Sequence, residues 1–214
     1  MSDRRLTPEL LLGAYAAGVF PMAERRDDPD VFWVDPRQRG ILPLDGFHLS
    51  RSLARRLRRG DVQASLDRDF EAVLDGCADR SETWINETIR ALMIDLFAMG
   101  HAHSFEVRKD GVLIGGMYGI ALGGAFFGES MFSRATDGSK MTMAFAVDHL
   151  RRCGFRLFDT QFLTDHLASL GGIEISRSAY RRMLAEALEI PADIHAIEIE
   201  TDPQAVVQRI TQTS

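Results

Sequence analysis

Asp159 and Gln161 stand two apart in the run Phe155–Phe162, which is otherwise rich in Phe and Leu. Strand alternation places Leu157, Asp159 and Gln161 on one face, and Phe158, Thr160 and Phe162 on the other. A carboxylate and an amide thus project together from an apolar strand. Burying them costs free energy unless they are paired. Two readings are open: a satisfied hydrogen-bond network at a strand end, or a polar pair that holds or deprotonates a nucleophile. Glu129 leaves a second apolar run, Phe126-Phe127-Gly128. It is either a surface carboxylate at a strand end, or a group that orients an amine and raises the basicity of a neighbour.

Lys140 follows Ser139 at the start of a helical segment. A cation in a first turn opposes the helix dipole, so Lys140 is either solvated or paired with a phosphate or carboxylate. His101 and His103 share a strand face, but no third ligand is apparent, and a metal site is not expected. His166 either caps a turn or orders the polar strand. Cys77 and Cys153 lie in helical contexts and read as small core residues. Met117, Phe126, Met143 and Phe158 either pack a core or converge on one concave surface. Trp33 and Trp84 are core anchors or stacking platforms for a base.

These residues need elements to hold them. Thr7 caps a helix with Pro8 at its first position, running towards Val19. Residues 21–46 carry most of the chain's prolines and read as irregular, with one short strand at 31–34. Ser50 caps a helix to about Arg59, and further helices cover 68–77 and 86–99. The period then changes. His103–Arg108, Val112–Ile120 and Ala125–Gly128 read as strands joined by tight turns at Asp110-Gly111 and Gly123-Gly124. Ser139 caps a helix to Arg152. A strand at 156–162, a helical turn at 165–170 and a helix at 176–188 follow. The tail offers a strand at 195–200 and a helix from Pro203. The class is α+β: an antiparallel meander, a crossover helix and one more strand. The division is a small N-terminal lobe at 1–46, a main domain at 47–190 and a tail at 191–214.

At 214 residues, with 45% hydrophobic and 26% charged residues, the chain suits one globular unit and excludes disorder, collagen and coiled coil. No apolar run approaches the roughly 18–20 residues of a membrane span. The start has no signal-peptide pattern, and two widely spaced cysteines fit a reducing compartment, so a cytoplasmic location is expected. The net charge of −6 is uneven: residues 51–59 hold Arg51, Arg55, Arg56, Arg58 and Arg59 with no acid, which leaves 20 basic against 31 acidic residues elsewhere. An acidic protein with one concentrated basic helix points to a local anion contact, not to general coating of nucleic acid. The glycine-rich stretch 111–124 is no phosphate loop: it lacks the GKS/GKT ending, and no GxGxxG opens a helix. The turn 134–138, before the helix at 139, has one Gly and an acid, a poor cradle for pyrophosphate.

Taken in order, the motifs LLGAYAAGVFPM (11–22), RGILP (39–43), FHLSRSL (47–53), TWI (83–85), GHAHSFEV (100–107), GGMYG (115–119), GESMFS (128–133), SK (139–140), DTQ (159–161), DH (165–166) and SLG (169–171) are specific together. They run from about Leu6 to Leu184. The chain resembles the leucyl/phenylalanyl-tRNA–protein transferases, bacterial enzymes that append Leu or Phe to proteins.

The resemblance implies a small N-terminal lobe and a GNAT-like acyltransferase domain, with a mainly antiparallel sheet flanked by helices. It implies that Leu or Phe, and Met less well, passes from aminoacyl-tRNA to the α-amine of proteins with N-terminal Arg or Lys. The product is marked for degradation by the N-degron route. No cofactor or metal is implied, and a monomer is expected. Asp159 and Gln161 match the family's catalytic Asp-x-Gln, and Glu129 its Glu near the acceptor amine. Met117, Phe126, Met143, Phe158 and Thr160 match the aminoacyl pocket. Trp84 matches a Trp at the terminal adenosine, where Trp33, Ser133 and Lys140 are also expected. The five arginines match the acceptor-stem contact. Trp33-Val34 replaces the paired Trp of many members, and Ala146 stands where the pocket can be aromatic. Both changes bear on side-chain preference more than on the reaction. Two rivals are an acetyl-CoA-dependent N-acyltransferase of the same fold and a non-catalytic module that binds acceptor stems.

Overall fold

The computed structural model describes residues 6–25, 30–80, 83 and 85–212. Helix α1 (Pro8–Ala16) begins as expected, with the Thr7 side chain accepting from the Leu10 amide and Pro8 in the first turn. Strands β1 (Phe20–Met22) and β2 (Phe32–Val34) pair antiparallel as a small ribbon. The remaining strands form one seven-stranded sheet. They are β3 (Gln38–Ile41), β4 (Gln63–Leu66), β5 (Ala102–Lys109), β6 (Val112–Leu122), β7 (Ala125–Ser133), β8 (Leu157–Gln161) and β9 (Ile173–Ser176), in the order β4-β5-β6-β7-β8-β3-β9. Every neighbouring pair is antiparallel except β7 and β8, which run parallel and are joined by the crossover helix α5 (Gly138–Arg152).

Two apolar layers sandwich the sheet, and adjacent residues such as Phe126 and Phe127 fall into different layers, as strand alternation requires. One layer receives α2 (Arg51–Leu57), α5 and α8 (Pro203–Thr211), through Leu53, Met143, Val206 and their neighbours. The other receives α1, α3 (Phe70–Ala78), α4 (Glu87–Ala98) and α7 (Arg177–Leu188), through Tyr15, Val73, Ile89 and Tyr180. A short helix, α6 (Asp165–Ser169), follows β8. The α+β class is as expected, and no helix among the described residues is long and apolar enough to cross a membrane.

Several local expectations are corrected. Residues 21–46 are not irregular: β3 completes the large sheet between β8 and β9. Pro36 and Pro43 bracket it without occupying a ladder position, so proline density hid a short strand. β7 extends to Ser133, five residues past the expected end. β4 and β9 were not expected at all, being only four residues each. No strand forms at 195–200. Its alternation reflects Ile197 and Ile199 packing on the core, where no neighbouring strand offers a ladder. The first turn of α5 is capped differently as well. Asp137, with φ +64, precedes it, and Ser133 Oγ accepts from the Ser139 amide at 3.2 Å.

Candidate active site

The site grows out of a split in the sheet. β7 pairs with β8 only across Ala125–Phe127, although it keeps its β6 ladder to Ser133. Past that point the two parallel strands separate. Gly128 stands at the fork, where a Cβ would lie 2.7 Å from the Phe158 ring, so only glycine permits this approach. The next residue is the extra one of a β-bulge: Tyr118 opposes Ser130, Gly119 opposes Gly128, and Glu129 has no partner. Bulges re-aim side chains, and this one turns Glu129 into the split. A cavity of about 820 Å³ opens there, within the usual range for small-molecule sites.

Beneath β8 lies a closed polar corner. Asp159 is fully buried. Its Oδ1 accepts from Arg39 Nε at 2.9 Å and from the Gln161 amide at 2.8 Å, and its Oδ2 accepts from an Arg39 terminal nitrogen and the Tyr180 hydroxyl, each at 2.6 Å. The fork geometry of guanidinium on carboxylate makes the strongest kind of ion pair. Arg39 is itself only 1% exposed. It donates to the Gly18 carbonyl at 3.0 Å and is stacked between the Phe20 and Tyr180 rings, 4.5 and 4.4 Å from their centroids. Burial draws the Arg39 pKa down, but the bonded Asp159 carboxylate outweighs it and the net shift is upward. Burial and the same carboxylate push the Tyr180 phenol up. The register of β3 on β8, with Ile41 opposite Asp159 and Gly40 opposite Gln161, delivers Arg39 to this corner.

The expected alternation breaks at Gln161. Its φ is +58, in the left-handed region that non-glycine residues seldom occupy. The amide bond to Asp159 holds it there, and the side chain turns into the cavity. Gln161 Nε2 donates to Glu129 Oε1 at 2.9 Å, which points the Gln161 carbonyl oxygen away from Glu129. Burial pushes the Glu129 carboxyl up to about 8; Tyr15 and Arg39 draw it down, and Asp159 adds to the rise. The buried Tyr15 phenol is in turn raised by burial and by Glu129.

Of the expected pocket residues, Met117, Met143, Phe158 and Thr160 line the cavity. Phe126 sits behind Phe158, ring centroids 5.4 Å apart in an edge-on contact. Ala146 is buried in the core without lining the cavity. Ser133 and His166 are in the wall. Burial and Lys140 lower the His166 pKa. His166 Nε2 and Thr160 Oγ1 are buried with no hydrogen-bond partner among the described residues, an arrangement that native interiors rarely leave unfilled. Lys140 lies outside the wall, 3.9 Å from Asp137. Trp33 is 41% exposed on β2, opposite Pro21 of the cavity rim. Trp84 lies outside the described residues. Arg51, Arg55, Arg58 and Arg59 are exposed and Arg56 is half-buried. None of the five lines the cavity. The thiol of Cys77 is buried and pushed up to about 12, which suits a core residue. Asp159 does not line the cavity either; its link to it is the hydrogen bond from the Gln161 amide.

Sequence reasoning missed Arg39, Tyr180 and Tyr15. Arg39 had a signal: a cation directly before the apolar run Gly40-Ile41-Leu42, in one of the matching motifs. The two tyrosines sit on apolar faces of α1 and α7 and have the pattern of ordinary core residues.

Residues 41–185 match the family described as leucyl/phenylalanyl-tRNA protein transferase, and residues 4–37 match its N-terminal domain. The chain belongs to the leucyl/phenylalanyl-tRNA–protein transferase family. It is 66% identical over 209 residues to the leucyl/phenylalanyl-tRNA–protein transferase of Ruegeria pomeroyi, covering 98% of this chain and 99% of that one. It is 62% identical to the protein of that name from Cereibacter sphaeroides, over the full length of both. Among solved structures FemX is similar in fold, with a TM-score of 0.52 at 11% identity, covering 78% of this chain and 66% of that one. The chain is thus an aminoacyltransferase of this family, with the α+β acyltransferase-like fold its sequence implies.

Proposed function

We propose that this chain moves Leu or Phe, and Met less efficiently, from aminoacyl-tRNA to the α-amine of proteins that begin with Arg or Lys, and so feeds N-degron degradation. One observation carries the reading. The cavity in the β7–β8 split is lined both by apolar side chains, among them Met117, Met143 and Phe158, and by the hydrogen-bonded Glu129–Gln161 pair. The apolar lining takes the aminoacyl side chain. A pocket of this kind discriminates one methylene by only about 1–3 kcal/mol, hence the slower use of Met. The unpartnered Thr160 Oγ1 and His166 Nε2 offer polar contacts to the ester or its ribose.

The reaction is aminolysis of an activated ester. The amine nitrogen attacks the carbonyl carbon, the C–N bond forms, and the C–O bond to the ribose breaks. The ester already carries the driving force, so neither ATP nor a metal takes part. Holding both substrates in register lowers the barrier by several kcal/mol. Gln161 is a neutral amide and a poor base; its carbonyl oxygen accepts a hydrogen bond from the incoming amine. Glu129 takes the amine proton. Its pKa of about 8 matches that of an α-amine at roughly 7.7–8.0, which makes the transfer nearly thermoneutral. Glu129 gives that proton up again, and the neighbouring ribose hydroxyl relays it to the leaving oxygen, which leaves Glu129 as a carboxylate. Asp159 is a positioning residue, with Arg39 and Tyr180 behind it.

The exposed arginines of α2, Arg51, Arg55, Arg58 and Arg59, take acceptor-stem phosphates, with Arg56 beside them. Trp84 and Trp33 stack near the terminal adenosine, and Ser133 and Lys140 serve the 3′ end. The chain works as a cytoplasmic monomer, divided into the lobe 1–46, the transferase domain 47–190 and the tail 191–214. Mass spectrometry tests the reading: an Arg-N-terminal peptide incubated with the enzyme and Leu-tRNA, without ATP or acetyl-CoA, gains one leucyl residue. An acetylated peptide gains none. A peptide that stays unmodified with Leu-, Phe- and Met-tRNA defeats the proposal, and acetyl transfer from acetyl-CoA establishes the rival.

A further inference from the structure

Away from the cavity, three metal-ligating side chains meet at the other edge of the sheet. His103 comes from β5, Asp67 from the turn after β4, and His195 from the loop between α7 and α8. One donor atom of each lies within 4.8 Å of the other two. Asp67 Oδ2 is 2.7 Å from His103 Nδ1 and 3.2 Å from His195 Nε2. The imidazole rings are 5.3 Å apart and edge-on. None of the three lines the cavity.

The surrounding contacts hold each ligand in place. Asp67 has φ +55, a conformation uncommon outside glycine. Its amide donates to the Ser104 carbonyl at 2.9 Å, and its Oδ1 accepts from the Ser104 amide at 2.7 Å. Oδ2 is thereby presented to both imidazoles. His103 is buried. His195 is fixed through its backbone: buried His149 donates from Nε2 to the Ile194 carbonyl at 2.7 Å, and the His195 amide donates to Asp193 Oδ1 at 2.8 Å. Its side chain is 57% exposed, which leaves room for a water on the solvent side.

We propose that Asp67, His103 and His195 bind one zinc ion, which staples the loop between α7 and α8 to the sheet. Two imidazole nitrogens and a carboxylate oxygen form a donor set that suits zinc. Tetrahedral ligands at about 2.0–2.1 Å from the ion stand about 3.3 Å apart; the Asp67–His195 separation of 3.2 Å matches this, and the Asp67–His103 pair, at 2.7 Å, opens slightly to admit the ion. Outer hydrogen bonds of the kind made by Ser104 to Asp67 are what orient ligands at such sites. Hard, oxygen-seeking magnesium does not fit the set. The ion is remote from the cavity, and its role is structural.

The test uses the full chain, made without a polyhistidine tag, stripped by a chelator and titrated calorimetrically with zinc chloride. The expected result is one zinc per chain and a Tm raised by zinc, as binding to the folded state alone requires. His195→Ala removes an exposed side chain and should leave the fold intact. It should bind zinc at least about tenfold more weakly, since even the loss of a supporting contact costs that much, and its Tm should no longer respond. Asp67→Asn should weaken binding too, and magnesium chloride should give no binding heat. The proposal is overturned if the wild-type chain takes up no zinc. It is equally overturned if His195→Ala and Asp67→Asn bind with wild-type stoichiometry and affinity. In either case the carboxylate simply serves two imidazole N–H groups.

Discussion

Two carboxylates stand on either side of the same fork in the sheet, and they are treated in opposite ways. Asp159, on the β8 side, receives two bonds from Arg39, one from Tyr180 and one from the Gln161 amide. Glu129, on the β7 side, is met by the Gln161 amide group and lies at the cavity wall. A carboxylate with four donors is fixed in place. A carboxylate that is desolvated but short of donors is raised towards neutrality, where it can exchange a proton with an amine. Burial alone therefore does not mark a reactive acid; the count of donors around it does. Gln161 joins the two regions, with its backbone on the satisfied acid and its side chain on the raised one.

The largest expected effect is at the closed corner. Arg39→Ala leaves the Asp159 carboxylate buried without its cation and should cost about 3–5 kcal/mol, read from urea unfolding. A loss below about 1 kcal/mol would mean that the corner does not clamp the N-terminal segment to the sheet. Glu129→Gln is the complementary experiment. It should lower kcat about a hundredfold or more without loss of stability. In the wild type, kcat/KM should rise with pH as both Glu129, at about 8, and the substrate α-amine, at roughly 7.7–8.0, lose their protons; the variant should keep only the shallower limb of the amine. The stability sign is opposite to that of an ordinary paired acid. The folded pKa lies above the unfolded value of 4.5, so the folded state binds the extra proton. Wild-type stability relative to Glu129→Gln should then fall as pH rises from about 4.5 to about 8.

Tyr180→Phe removes one hydrogen bond to a charged group. It should cost about 1.5–3 kcal/mol of stability and touch catalysis less than Glu129→Gln does. A drop in kcat as deep as that of the Glu129 variant would erase the distinction between corner and wall. The smallest effect belongs to α2, which touches neither region. Arg55→Ala and Arg58→Ala should each reduce the salt dependence of tRNA binding by about one unit of log-log slope. An unchanged slope removes that helix from the tRNA footprint.

Much of this was legible in the chain. The caps at Thr7 and Ser50, the meander of β5 to β7, the crossover helix and the polar strand all follow from local chemistry: side-chain caps, period-two alternation and glycine at turns. Motif order gave the family, and with it Glu129 and Gln161. The arginine cluster at 51–59 and its exposed helix face could also be read directly. These features depend on residues close in sequence, where the same neighbours are present whatever the rest of the chain does.

Tertiary structure decided the rest. β3 sits among prolines and becomes a strand only because β8 and β9 lie on either side of it. The bulge that aims Glu129 arises from the mismatch between two paired strands, which neither strand records alone. The left-handed turn at Gln161 is held by Asp159, itself held by Arg39 from far up the chain. His103 meets Asp67 and His195 only because the turn after β4 and the loop after α7 reach the same edge of the sheet. In each case the deciding interaction joins residues distant in sequence. Its free energy depends on burial and geometry that exist only once the sheet and both its helical layers are assembled.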